Sequence, residues 1–269
     1  QTAKGDFFTD NMDTTKRGLR LSPSITVITG SPTAFTMVSL PARPPFFFEE
    51  AVSTTVRYIY IICGAGAALS HTYKIDINNA SGSGANSVTL RVANTLGTQS
   101  APSRPERFEG KWYKAIAIGT GSSSVEAFQQ LTTVGTPSGA SSTDTWTSHD
   151  TAQNVDLLLR LDAQAGRAKL LRAVPTSSRM VLQTVEAGAS GDGPLEEANW
   201  SPAAGYDVGD FGASNFFAGG ASHAGVHIIG KSDGAYSFDT SGSSYPVVIG
   251  PRAGATALDV ITWDFGPEG

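Results

Sequence analysis

Cysteine is almost absent from this chain: Cys63 is the only one in 269 residues. A single thiol excludes a disulfide framework within the chain. Its place in the apolar run 56–63 marks it as a small buried hydrophobe and not a nucleophile. Charge is scarce too. Lys, Arg, Asp and Glu make up 16% of the residues, below the roughly 25% of ordinary soluble domains, so Ser, Thr, Asn and Gly must keep the surface wet. Positive charge is the shorter of the two signs, with a formal net charge of -5. Phosphate recognition needs a concentrated cationic face, which excludes nucleic acid as the main partner. No run approaches the roughly 18–20 apolar residues of a membrane-spanning helix, so no membrane insertion is expected. The chain opens on Gln1 with no charged-then-apolar leader after it, as a processed product or a renumbered segment would.

What is present is turn chemistry and alternation. Thirty glycines and fourteen prolines imply many turns and few long helices. Tyr73, Ile75 and Ile77 alternate with Thr72, Lys74 and Asp76. Val88, Leu90 and Val92 alternate with Thr89 and Arg91. Both runs predict half-buried strands, joined across the Gly/Ser/Asn-rich stretch 78–86 as a hairpin. Further β-branched or aromatic runs lie at 25–28, 35–40, 56–63, 112–118, 226–229 and 245–249. Helix signals are short: about two turns over Ser124–Leu131 and one at Pro194–Glu197, with Pro at its first position. No repeat of 20 to 50 residues is visible, which argues against solenoids and propellers.

The clearest unit runs from Val155 to Val174. Val155, Leu157, Leu159 and Leu161 share one face, and the connection through Gly166 suits a four-residue hairpin loop. The C-terminal part has a matching pattern, with Pro246–Gly250 followed by Leu258–Phe265. These patterns resemble the paired strands and closing strands of the concanavalin A-like or laminin-G-like jelly roll. That resemblance covers about a quarter of the chain in strand pattern alone, without invariant chemistry. It implies an all-β, antiparallel β-sandwich with a few short helical turns, of a kind used to bind carbohydrate or receptors. The Pro-stiffened stretch 41–48 divides the chain into an N-terminal arm or first strands, 1–50, and a sandwich domain, 51–269. The low-charge, Gly/Ser/Thr-rich style is also similar to structural proteins of tailed phages.

Motifs that would carry chemistry are incomplete. Cys63-Gly-Ala-Gly-Ala-Ala-Leu69 has Leu69 where a dinucleotide-binding loop needs its third glycine, and 70–77 alternates as a strand, so no cofactor is expected. Jelly-roll glycosidases place carboxylates on alternate residues of one strand. Glu196 and Glu197 are adjacent and Asp259 and Asp264 five apart, so a catalytic pair would have to come from distant strands. Gly220-Ala-Ser222-His223-Ala-Gly225 is one residue too long for a nucleophile elbow. His223 and His227 have a zinc spacing only on a helix, and Asp207, Asp210 and Asn215 lack the order of a calcium loop, so no metal is expected.

Two surfaces remain. Trp200, Tyr206, Asp207, Asp210, Phe211, Asn215, Phe216 and Phe217 combine aromatic faces with carboxylate and amide acceptors, the requirements of a sugar ring. Phe46, Phe47 and Phe48, with the basic segment holding Arg167, Arg172 and Arg179 beside an acidic segment at 180–230, suit assembly of copies. The sequence therefore points first to a non-enzymatic structural or attachment subunit of an oligomer. It would be a virion or extracellular protein, such as a phage tail, fibre or capsid-decoration component. Its partners would be copies of itself, other virion proteins or a cell-surface glycan. The alternatives are a secreted carbohydrate-binding module, or a polysaccharide hydrolase or lyase with dispersed catalytic residues.

Overall fold

The computed structural model describes residues 12–13, 20–21, 46–64, 69–76, 88–95, 101–118, 123–135, 137–138, 141–142, 144–163, 166–176, 179–210, 217–223, 226–231, 234–238 and 247–249. Two short strands, β1 (Met12–Asp13) and β2 (Arg20–Leu21), pair with each other. Sheet I contains β3 (Phe46–Ala51), β4 (Arg57–Gly64), β5 (Leu69–Asp76) and β6 (Val88–Thr95), in that order. Sheet II contains β7 (Ala101–Pro102), β8 (Glu106–Phe108), β9 (Lys111–Ala117), β10 (Phe128–Thr133) and β13 (Thr145–Ser148). A separate ribbon of β11 (Pro137–Ser138) and β12 (Ser141–Ser142) falls between its last two strands. Sheet III runs β14 (Leu157–Leu161), β15 (Lys169–Pro175), β16 (Arg179–Glu186) and β17 (Ser201–Asp210). Sheet IV runs β18 (Phe217–His223), β19 (Val226–Lys231), β20 (Gly234–Phe238) and β21 (Val247–Ile249).

The fold is all-β, with antiparallel sheets and three one-turn 3-10 helices among the described residues. Within each of the four large sheets the strands follow one another in chain order. Sheet II obeys the same plan, because β7 and β8 both pair with β9 and form one first strand interrupted at 103–105. The chain thus repeats one plan four times without a sequence repeat.

Successive sheets pack against each other. Phe48, Tyr58, Tyr60 and Ile62 of sheet I meet Leu131 of sheet II, with Trp112 and Trp146 against them. Phe108, Tyr113, Ala115 and Phe128 of sheet II meet Leu158, Leu170 and Val185 of sheet III. Gly220 of sheet IV lies against sheet III so closely that a Cβ there would stand 2.9 Å from Leu159 Cδ2.

This stacking changes three expectations. Thr72 and Lys74, the polar side of a half-buried strand, are both buried, as is Arg172 on the outer side of the 155–174 hairpin. These sheets are covered on both faces, so alternation no longer separates inside from outside. Second, the helix expected over Ser124–Leu131 is a single 3-10 turn, Val125–Ala127, after which β10 begins. Ser124 accepts the Glu126 N–H as a cap should, but pairing of 128–130 with both β9 and β13 outweighs the local preference. Third, Phe48 is already packed within the single chain and Phe46 is half-buried on strand β3; only Phe47 is well exposed, at 59%. The runs 25–28, 35–40 and 258–265 and the loop 78–86 lie outside the described residues.

Candidate functional site

The free edge of β14 is where three sheets meet. Among the described residues β14 pairs with β15 on one side only. Its other edge presents backbone N–H groups that ladder bonding leaves unsatisfied, and such groups need partners when buried. Side chains from the neighbouring sheets supply them. From sheet II, the Glu106 carboxylate accepts the Arg160 N–H. From sheet IV, Ser222 Oγ accepts the N–H of Asp162, just past β14, at 2.8 Å. Donors two residues apart on an extended chain are about 7 Å apart, so the carboxyl and the hydroxyl stand side by side along this edge.

Glu106 is placed by a tight hairpin. Phe108 and Lys111 close the register, and the residues between them, Glu109 and Gly110, have φ of 49° and 78°. Positive φ at both centres is the twist that joins antiparallel strands in two residues. Phe108 buries one side of the hairpin in the core between sheets II and III. Glu106 then faces the β14 edge with its side chain 12% exposed, and Arg104 Nε lies 3.7 Å from its carboxylate. Burial raises its pKa from 4.5 to about 7, against the opposing pull of Arg104 and of the Arg160 N–H. A carboxyl group that exchanges its proton near neutrality and still reaches solvent is equipped for general acid–base chemistry.

On the sheet IV side, Ser222 and His227 face each other across the β18–β19 ladder. Ser222 Oγ is 2.8 Å from His227 Nδ1. The His227 ring is fully buried while Ser222 is partly exposed.

A second polar cluster lies on the other side of sheet III. Arg172 donates through Nε and Nη2 to Gln183 Oε1, at 2.9 and 2.7 Å, and through Nη2 to both Glu197 oxygens, at 2.8 and 2.7 Å. Its guanidinium lies 4.2 Å from the Trp200 ring centre, and Nη1 stands 3.3 Å from His149 Nε2. Gln183 donates onward to the carbonyls of Pro202 and Ala203. His149 Nδ1 is 3.0 Å from Asp150 Oδ1, and the Glu197 N–H donates to that same oxygen at 3.1 Å. Burial, and then the Arg172 charge, push the imidazole below its ordinary value. This network fastens the two 3-10 turns, Gly193–Leu195 and Glu197–Asn199, onto sheets II and III.

Two lysines are buried between sheets I and II. Lys74 donates to Asp144 Oδ1 at 2.8 Å and to the Gly135 carbonyl, and Tyr60 donates to Asp144 Oδ2. Lys114 donates to Thr72 Oγ1 at 2.7 Å and lies 4.2 Å from the Trp146 ring centre. Burial lowers its amine from 10.5 to about 7. The Trp146 indole N–H has no acceptor among the described residues.

The residues singled out in the sequence are dispersed. Trp200 is a core residue, 3% exposed, with its indole N–H donating to the Pro194 carbonyl at 3.0 Å; it offers no open face to a sugar. Tyr206, Asp207 and Asp210 lie on β17 and Phe217 begins β18, while Phe211, Asn215 and Phe216 lie outside the described residues. Arg167 is exposed and donates to the Ala187 carbonyl at 3.0 Å. Arg179 pairs with Asp210 in the β16–β17 ladder. Arg172 is not available to an assembly edge, because it is buried with its charge already matched by Glu197. Glu106 escaped sequence reasoning because its character comes from a strand of another sheet. The signal that was available is Glu109-Gly110, two turn-compatible residues between Phe108 and Lys111, which marks a hairpin beginning near Glu106.

No family model and no curated protein matches the chain. Among solved structures it is similar to an exo-β-1,3-galactanase from Phanerochaete chrysosporium with galactose, at 15% identity and a TM-score of 0.39, over 83% of this chain and 53% of that one. It is likewise similar to a glutamate-to-alanine variant of that enzyme with β-1,3-galactotriose, at 14% identity and 0.38, over the same shares. The chain therefore spans about half the length of these neighbours. Against the expectation of a non-enzymatic virion subunit, both of these structures are of an enzyme. At this identity and TM-score the likeness carries no argument about the chemistry of this chain.

Proposed function

We propose that this chain carries out glycan hydrolysis, with the Glu106 carboxyl as proton donor to the leaving glycosidic oxygen. The observation that supports the reading is the setting of Glu106. It lies on a strand tip fixed by a two-residue turn, against the free edge of β14, desolvated enough to hold a proton up to about 7. Protonating a poor leaving group at neutral pH requires such a carboxyl, and a carboxylate with its ordinary value cannot do it. The four meanders follow one another along the chain, and the first strands of sheets II and IV, β8 and β18, both lie against β14, the first strand of sheet III. The β14 edge therefore lies where three sheets present residues.

The test is reducing-sugar release from a panel of soluble β-linked polysaccharides, β-1,3-galactan among them. Wild type is expected to cleave at least one, and Glu106→Gln to lower kcat by about 10²- to 10⁴-fold with the circular dichroism spectrum unchanged. Cleavage of none, or equal activity in Glu106→Gln, refutes the reading.

A further inference from the structure

We infer that Ser222 is an activated nucleophile, with His227 as its base, and that the β14 edge hydrolyses small acyl esters in addition to the chemistry assigned to Glu106. The hydroxyl has one proton to give. Its oxygen accepts the Asp162 N–H at 2.8 Å and lies 2.8 Å from His227 Nδ1. In the tautomer that carries the ring proton on Nε2, Nδ1 accepts the hydroxyl proton, the direction that nucleophilic activation requires. The backbone donor also stabilises negative charge on Oγ as the proton leaves. The cross-strand register holds base and nucleophile together, with the ring buried and the hydroxyl partly exposed.

Ser222 Oγ forms a bond to the acyl carbon while its proton passes to His227 Nδ1. The acyl–oxygen bond then breaks, and the departing alkoxide takes that proton from the imidazole. Water attacks the acyl-serine, gives a proton to the same nitrogen, and the carboxylic acid leaves as Ser222 regains its hydrogen. The class proposed is an acetyl ester, a small acyl group, since Ser222 is only partly exposed.

The experiment uses the full chain with a fluorophosphonate probe and with p-nitrophenyl acetate. Wild type is expected to take up one equivalent of probe, located on Ser222 by peptide mass, and to hydrolyse the acetate. Ser222→Ala, a mild change at a partly exposed position, is expected to lose both with its melting temperature retained. Phe47→Ser, at an exposed position on β3 outside this edge, is expected to keep both. No labelling of folded wild type, or labelling that survives Ser222→Ala, overturns the inference. Glycan cleavage is read separately through Glu106, so either chemistry can fail while the other stands.

Discussion

The cluster around Arg172 and the groups at Glu106 and Lys114 all take charge out of water, on different terms. Arg172 has a bidentate carboxylate, a glutamine oxygen and an aromatic face. The carboxylate keeps much of its hydration, since the Glu197 side chain is 40% exposed. Among the described residues Lys114 has one hydroxyl and a ring face, beside an indole N–H without an acceptor. Glu106 has one backbone donor and an arginine at 3.7 Å. Where partners are complete the charge is locked and the role is structural. Where they are sparse, burial moves the proton affinity toward neutrality, and the group can change state under ordinary conditions.

Removing the locked charge has the largest expected effect. Arg172→Met leaves Gln183 and His149 without their donor and strips the guanidinium from Trp200. A stability loss of about 2–3 kcal/mol is expected in chemical denaturation, below the extreme for buried pairs because Glu197 can rehydrate. A loss under about 0.5 kcal/mol, the scale of an ordinary surface substitution, would break the comparison.

Lys114→Met is expected to act in the opposite direction, stabilising by about 1–2 kcal/mol at pH 7, since an apolar side chain replaces a sparsely partnered amine. The pH dependence sharpens this. A lysine whose folded value is depressed contributes stability that is present above about 10.5 and lost as pH falls toward about 7. A glutamate whose folded value is raised contributes stability present below 4.5 and lost as pH rises through about 7. Together these groups give wild type a dip in stability near pH 7. Lys114→Met should flatten its alkaline side and Glu106→Gln its acid side, measured as melting temperature against pH.

The smallest effect belongs to Phe47→Ser. Phe47 is exposed on edge strand β3, beside the packed Phe48, so stability should change by no more than about 0.5 kcal/mol. An appreciable loss in dilute solution, measured by chemical denaturation, would show that this ring packs against a part of the chain outside the described residues.

The strands themselves were legible. Alternation located β5, β6 and β14, β-branched and aromatic runs marked β4 and β9, and the Val155–Val174 hairpin forms with Leu157 opposite Ala173 and Leu161 opposite Lys169. What alternation cannot reveal is a second covering sheet. Thr72, Lys74 and Arg172 have the spacing of solvent-facing residues and lie in the interior, because their partners Lys114, Asp144 and Glu197 come from other elements. The repeated plan was hidden for the same reason. Each sheet fills its interfaces with different residues, aromatic between I and II and largely aliphatic on sheet III, so a shared backbone course leaves no shared sequence period. Glu106 looks like any polar residue at a strand end until Arg160 is placed beside it.

The turn at Glu109 and Gly110 gives the position of Glu106 a discrete character. Two residues with positive φ fix which side chains of β8 point toward β14, and strand faces alternate one residue at a time. Lengthening the turn by a single residue would offer Arg107 to the Arg160 amide in place of Glu106, presenting a cation to a backbone donor. The acid at this edge is therefore held by a counting rule: no graded drift of the hairpin leads from the working arrangement to the reversed one, and insertions here would be accepted in pairs.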